Sequence, residues 1–142
     1  MAASSSRERM SPSTPKLSDA ARHVVVPSGI VSTAFPRVKS QLAKLQVTFD
    51  RWQEGLGSLI LSKRKDGQYA ASVGGVVMSI PRQTGKTYTV GWIIFALCVM
   101  FPNLTVIWTA HRTRTSSETF QQMRTMAKKP KMAPLVETVR AA

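Results

Sequence analysis

A chain of 142 residues has room for one domain with a modest core, and 43% hydrophobic content is ordinary for a globular protein. The charge is not ordinary: 20 Lys+Arg against 7 Asp+Glu give +13, an excess that favours a polyanionic partner through counterion release, the plain alternative being a surface that only aids solubility. The single Cys98 excludes an internal disulfide framework and a cysteine metal site, and Met1 to Arg9 has no apolar stretch of the secretory kind, so a reduced, cytosolic setting is expected.

Met1 to about Ser18 is rich in Ser, Pro and charge and has little to bury, so residues 1–36 read as a flexible basic arm. Within it, Val24-Val25-Val26 with Pro27, Gly29 and Pro36 suggests an extended stretch lying against the domain at 37–142. From Ser40 to about Ser62 apolar residues (Leu42, Leu45, Phe49, Trp52, Leu56, Leu59, Ile60) recur at helical spacing, with a break expected near Gly55 and Gly57. Asp66-Gly67 predicts a hairpin turn, and Val73 to Ile80 reads as a strand with a bulge at Gly74-Gly75.

A helix is predicted from Thr87 to about Met100, followed by a second strand at Leu104 to Thr109. Strand, helix, strand with near-continuous apolar strands is a βαβ unit, so the two strands should be parallel and the crossover right-handed. The 12 apolar residues Val90 to Phe101 stop at Pro102-Asn103, short of the roughly 20 that a bilayer requires, so no membrane span is expected. Thr115-x-x-Glu118 has the form of a capping box opening a helix that carries Phe120, Met123 and Ala127 on one face.

The chemistry concentrates at Ser79-Ile80-Pro81-Arg82-Gln83-Thr84-Gly85-Lys86-Thr87. Backbone N–H groups at the mouth of a helix can wrap phosphates, Lys86 can offer an ammonium to the β and γ phosphates, and the Thr87 hydroxyl can reach Mg²⁺. The usual G-x-x-x-x-G-K-[ST] pattern would place glycine at Ile80, so the motif is a variant, and its placement between an apolar run and a helix supports it more than the residues alone. A helix start with an exposed lysine is the plain alternative.

The variant Pro81-Arg82-Gln83-x-Gly85-Lys86-Thr87 resembles the loop of phage terminase large subunits, the ATPases that drive DNA into capsids. Upstream, Phe49-Asp50-Arg51-Trp52-Gln53 resembles the Trp-Gln pair of that family, and Lys65 to Ala71 resembles its small hairpin. Downstream, Val106 to His111 and Thr115 to Phe120 resemble its second strand and following helix, so that the likeness covers about Ser40 to Met126 with the motifs in order.

The resemblance implies an α/β fold: a truncated, partial P-loop NTPase of the RecA-like (ASCE) class, a three-layer unit with a parallel sheet. It implies ATP and Mg²⁺ as cofactors, with Gln83, Thr84, Gly85, Lys86 and Thr87 around the phosphates and Trp52 and Gln53 at the adenine. By the same resemblance Arg82 corresponds to the family's loop arginine that moves onto the γ-phosphate, where a guanidinium neutralises charge on the transferred group, the plain alternative being a solvated loop arginine. Double-stranded DNA, a portal protein and a small terminase subunit are the implied partners, in the host cytoplasm.

Hydrolysis by such a fold also needs an apolar strand ending in Asp-Glu, and after Lys86 the only acidic residues are Glu118 and Glu137. That acidic motif and the family's nuclease carboxylates are missing, so the chain is expected to be the first third or less of a terminase and inactive alone. Arg112, Arg114, Arg124, Lys128, Lys129 and Lys131 form a basic stretch suited to DNA phosphates or equally to a solvated helix face, and His111 reads as structural or exposed. Trp52 has plain core packing as its alternative role. A non-catalytic nucleotide- or DNA-binding module, or part of another RecA-like ATPase such as a helicase, remains open.

Overall fold

The computed structural model describes residues 14–71 and 74–137. Its elements run α1 (Leu17–Ala20), β1 (Ile30–Thr33), α2 (Phe35–Lys44), α3 (Arg51–Ile60), β2 (Ser62–Arg64), α4 (Lys86–Met100) and α5 (Thr113–Ala127), and a 3-10 turn at Ala133–Leu135 follows. Most of residues 1–18, the Ser/Pro-rich beginning of the predicted arm, lies outside the described residues; from Ile30 the same arm supplies β1.

Helices α2 and α3 share one sequence pattern but are separate, because the chain leaves the helix at Leu45 and Gln46 takes a positive φ of 56°. The break thus comes before Asp50 and not at the glycines. Asp50 restarts the helix as the N-cap of a capping box with Gln53, whose Oε1 accepts the Asp50 N–H at 2.8 Å. Both glycines stay helical, and Gly57 is needed there: a Cβ at that position would run into the ring of Phe35.

β1 and β2 pair antiparallel, with Thr33 opposite Ser62 and Ile30 opposite Arg64. The predicted hairpin forms: Gly67 turns at φ 80°, Gln68 N–H donates to Asp66 Oδ1 at 3.0 Å, and Tyr69 bridges back to Lys63.

The expected α/β architecture is not what the chain adopts. The fold is mostly helical with one two-stranded antiparallel sheet, not a P-loop NTPase of RecA-like, three-layer, parallel-sheet form. Val73 lies outside the described residues, and neither Gly74 to Ile80 nor Leu104 to Thr109 is a strand. Gly74 and Gly75 take φ of 85° and 67°, turning the chain where the first strand would have to run straight, and without that strand Leu104 to Thr109 lacks the partner a parallel pairing requires.

With no sheet to lie on, α4 packs against α2 and α5. The core is built there from Phe35, Val38, Leu42, Trp92, Ile93, Ala96 and Met126, joined by Met132 after α5. An aromatic series threads it, from Phe35 through Phe49, Tyr88 and Trp92 to Phe95, with centroids 5.6–6.4 Å apart. Gly91 lets α5 approach, since a Cβ there would sit 2.9 Å from Met126 Cε and 3.0 Å from Met123 Sδ. Among the described residues no helix is long and apolar enough to cross a membrane.

Candidate phosphate-binding loop and basic helix face

The residues from Pro81 form a short turn that ends in α4. Thr84 Oγ1 donates to the Pro81 carbonyl at 2.9 Å, and Gln83 and Gly85 both adopt positive φ, 61° and 91°. Gly85 is therefore the residue that makes the turn into the helix possible, because an L side chain is strained at that φ. The structure brings Arg82, Gln83, Thr84, Gly85, Lys86 and Thr87 together as this turn and the first turn of α4.

The start of α4 is open. Among the described residues no side chain caps it and its own first turn carries no acidic residue, so its first N–H groups have no side-chain acceptor, and Asp50 at the start of α3 is the carboxylate near enough to act on Tyr88. Arg82 and Lys86 are exposed beside it, and neither is ion-paired among the described residues. Thr87 is half-buried in the first turn. Such an arrangement can hold an anion, with two cations to match its charge.

Gln53 reaches this turn from α3. It is 6% exposed; Nε2 donates to Thr89 Oγ1 at 2.7 Å, and Thr89 Oγ1 in turn donates to the Gly85 carbonyl at 2.9 Å. Its amide is therefore already committed at both ends, to the α3 cap and to Thr89. Trp52, its neighbour, is half-buried and sits outside the aromatic series, since successive helical residues face different directions. Thr89, 0% exposed, escaped the sequence reading. Its signal was there: a polar residue four positions after Gly85 in an apolar helix, spaced to bond the Gly85 carbonyl.

Neither a protein-family model, nor a curated protein, nor a solved structure matches the chain. The open helix start offers N–H donors with Lys86 and Arg82 exposed beside them. For Mg²⁺ the loop offers the Thr87 hydroxyl, and no group of three His, Cys, Asp or Glu side chains stands ready for a metal among the described residues. Tyr88, next in α4, has its phenol pKa raised by burial and by the negative charge of Asp50.

Helix α5 does not open as the sequence suggested. It begins at Thr113 with Arg112 as N-cap, and Glu118 pairs with Arg114 at 3.0 Å on the surface in place of a capping box with Thr115. Met126 and Ala127 are buried and Met123 and Phe120 half-buried, which turns the opposite face outward. On that face Arg114, Arg124 and Lys128 fall within about 80° of one another around the axis. Arg112 and Lys131 are also exposed, as is His111. Lys129 is drawn aside: its Nζ lies 5.3 Å from the Trp92 ring centre and 5.8 Å from that of Tyr88.

Proposed function

We propose that the Pro81–Thr87 turn and the start of α4 bind the polyphosphate of ATP with Mg²⁺, and that the chain serves as the ATP-binding part of a DNA-packaging motor of the phage terminase large-subunit type. The observation that carries the reading is the uncapped start of a 15-residue helix, reached through Gly85 at φ 91° and flanked by exposed Arg82 and Lys86. Phosphate oxygens would accept from the first N–H groups, Lys86 would meet the β and γ phosphates, and Arg82 would offset charge at the γ position. In this reading double-stranded DNA lies along α5, a portal protein and a small terminase subunit dock to the same motor, and the setting is the host cytoplasm.

Titration with Mg-ATP tests the loop. Lys86→Ala is expected to weaken binding about tenfold or more, the scale of a lost charge-assisted contact, with an unchanged unfolding midpoint. Equal binding by both proteins would overturn the reading. Turnover by the chain alone is expected at background, because no carboxylate cluster accompanies the loop among the described residues.

A second reading, a module that holds DNA without turnover, is favoured by the outward stripe of Arg114, Arg124 and Lys128. Binding to duplex DNA should weaken with salt at a log–log slope of about −0.9 per phosphate neutralised. Replacing Arg112, Arg114 and Arg124 with Ala should lower that slope by more than removing residues 1–18 does. The reverse ranking would make the α5 stripe only a solvated face.

A further inference from the structure

We infer that Gln53 is a positioning residue for the loop: through Thr89 it fixes the carbonyl of Gly85 and thereby the direction of the N–H groups that open α4. This rests on the phosphate-binding reading of the loop, and it assigns Gln53 a task other than contact with a nucleobase. The connection is continuous. Asp50 N–H donates to Gln53 Oε1 at 2.8 Å, Gln53 Nε2 donates to Thr89 Oγ1 at 2.7 Å, and Thr89 donates both its hydroxyl and its N–H to Gly85 O, each at 2.9 Å.

Each link is held by burial or geometry. Thr89 is fully buried and Gln53 nearly so, and a half-made connection there would strand a polar group away from water. Gly85 also lies directly under the amide, since a Cβ built on it would come within 3.3 Å of Gln53 Nε2. A peptide plane has one orientation once its carbonyl is fixed. The plane of Gly85 carries the N–H of Lys86, so anchoring the carbonyl toward Thr89 sets that N–H at the mouth of the loop. The start of α3 and the start of α4 are thus tied by one amide side chain, and the loop inherits the rigidity of both helices.

The experiment uses the full chain and two probes, Mg-ATP and inorganic tripolyphosphate, which has no base. Thr89→Val removes the hydroxyl while leaving the α3 cap, Thr89→Ser restores it, and Gln53→Met removes the amide. Amide hydrogen exchange is read in the absence of any probe. Thr89→Val and Gln53→Met are expected to weaken both probes alike, by about three- to tenfold for one buried hydrogen bond, with Thr89→Ser close to the unaltered protein. Exchange should accelerate at the amide of residue 89 but not at residues 93–97, where general destabilisation would also appear.

Loss of ATP binding with tripolyphosphate unaffected would overturn the inference and give Gln53 to the base. Unchanged exchange at residue 89 in both variants would overturn it as well. If the unaltered chain binds neither probe, the phosphate reading of the loop fails, and the tie between the helices stands or falls on the exchange rates alone.

Discussion

Two kinds of apolar segment meet in this chain, and they have opposite fates. Helices α2 and α4 bury Phe35, Val38, Leu42, Trp92, Ile93 and Ala96 against one another and α5. The segments before and after α4 are as apolar yet stay in water: Val77 is 92% exposed and Ile107 84% exposed, and Val106, Trp108 and Leu104 are also exposed. The difference is in the backbone. A helix satisfies its own N–H and C=O groups and needs only a face to bury, whereas a strand needs neighbours for every peptide before its side chains can be packed. Apolarity alone does not make a core.

The largest effect expected from breaking this division is at Trp92. Its ring touches Tyr88 and Phe95, it is 0% exposed, and its indole N–H is buried with no partner among the described residues. Trp92→Ala should cost about 3–5 kcal/mol, enough to abolish cooperative unfolding in a domain of this size, as read by urea titration. Trp92→Phe should cost distinctly less, because it removes the unpartnered N–H along with part of the volume. Equal losses would mean that the ring does not organise the three-helix core.

Next comes the junction between the two regions. At Gly85 a side chain meets a φ of 91° and the Gln53 amide at 3.3 Å. Gly85→Ala should therefore destabilise by about 1–2 kcal/mol, the strain of a left-handed L-residue, and should weaken Mg-ATP binding as well. An unaltered unfolding midpoint would show that the turn relaxes freely and is not held by α3.

The same division explains what could be read in advance. Helix α4, the Asp66-Gly67 turn and the turn through Gly85 that opens α4 were legible because each is decided locally, by an apolar run, a turn dipeptide or a glycine at a helix start. The parallel sheet was not: as a local pattern Gly74-Gly75 suits a bulge within a strand, whereas its positive φ values end the strand altogether. The break between α2 and α3 falls before Asp50, while Gly55 and Gly57, the residues that suggest a break in the local pattern, are packed against Leu17 and Phe35. For α5 the Thr115-x-x-Glu118 spacing was correct for a cap, but Arg114 one turn earlier in the helix claims Glu118. Tertiary contact and competing side-chain partners decided these cases, and neither is visible in a local pattern.

The smallest effect on stability is expected where exposure is greatest. Val77→Ser and Ile107→Ser remove methyl groups that already face water, so the double variant should unfold within about 0.5 kcal/mol of the unaltered protein. Its association should change much more. A surface that displays Val76, Val77, Leu104, Val106, Ile107 and Trp108 favours contact between copies, even with +13 charges opposing approach. Sedimentation velocity at moderate salt, where the repulsion is screened, should show the unaltered chain associating and the double variant doing so less. A loss of several kcal/mol in the double variant would show that these segments do pack, and would erase the distinction between the two regions. Unchanged association with unchanged stability would leave the distinction intact but place the adhesive surface elsewhere, with Val24, Val25 and Val26 before β1 the next residues to replace.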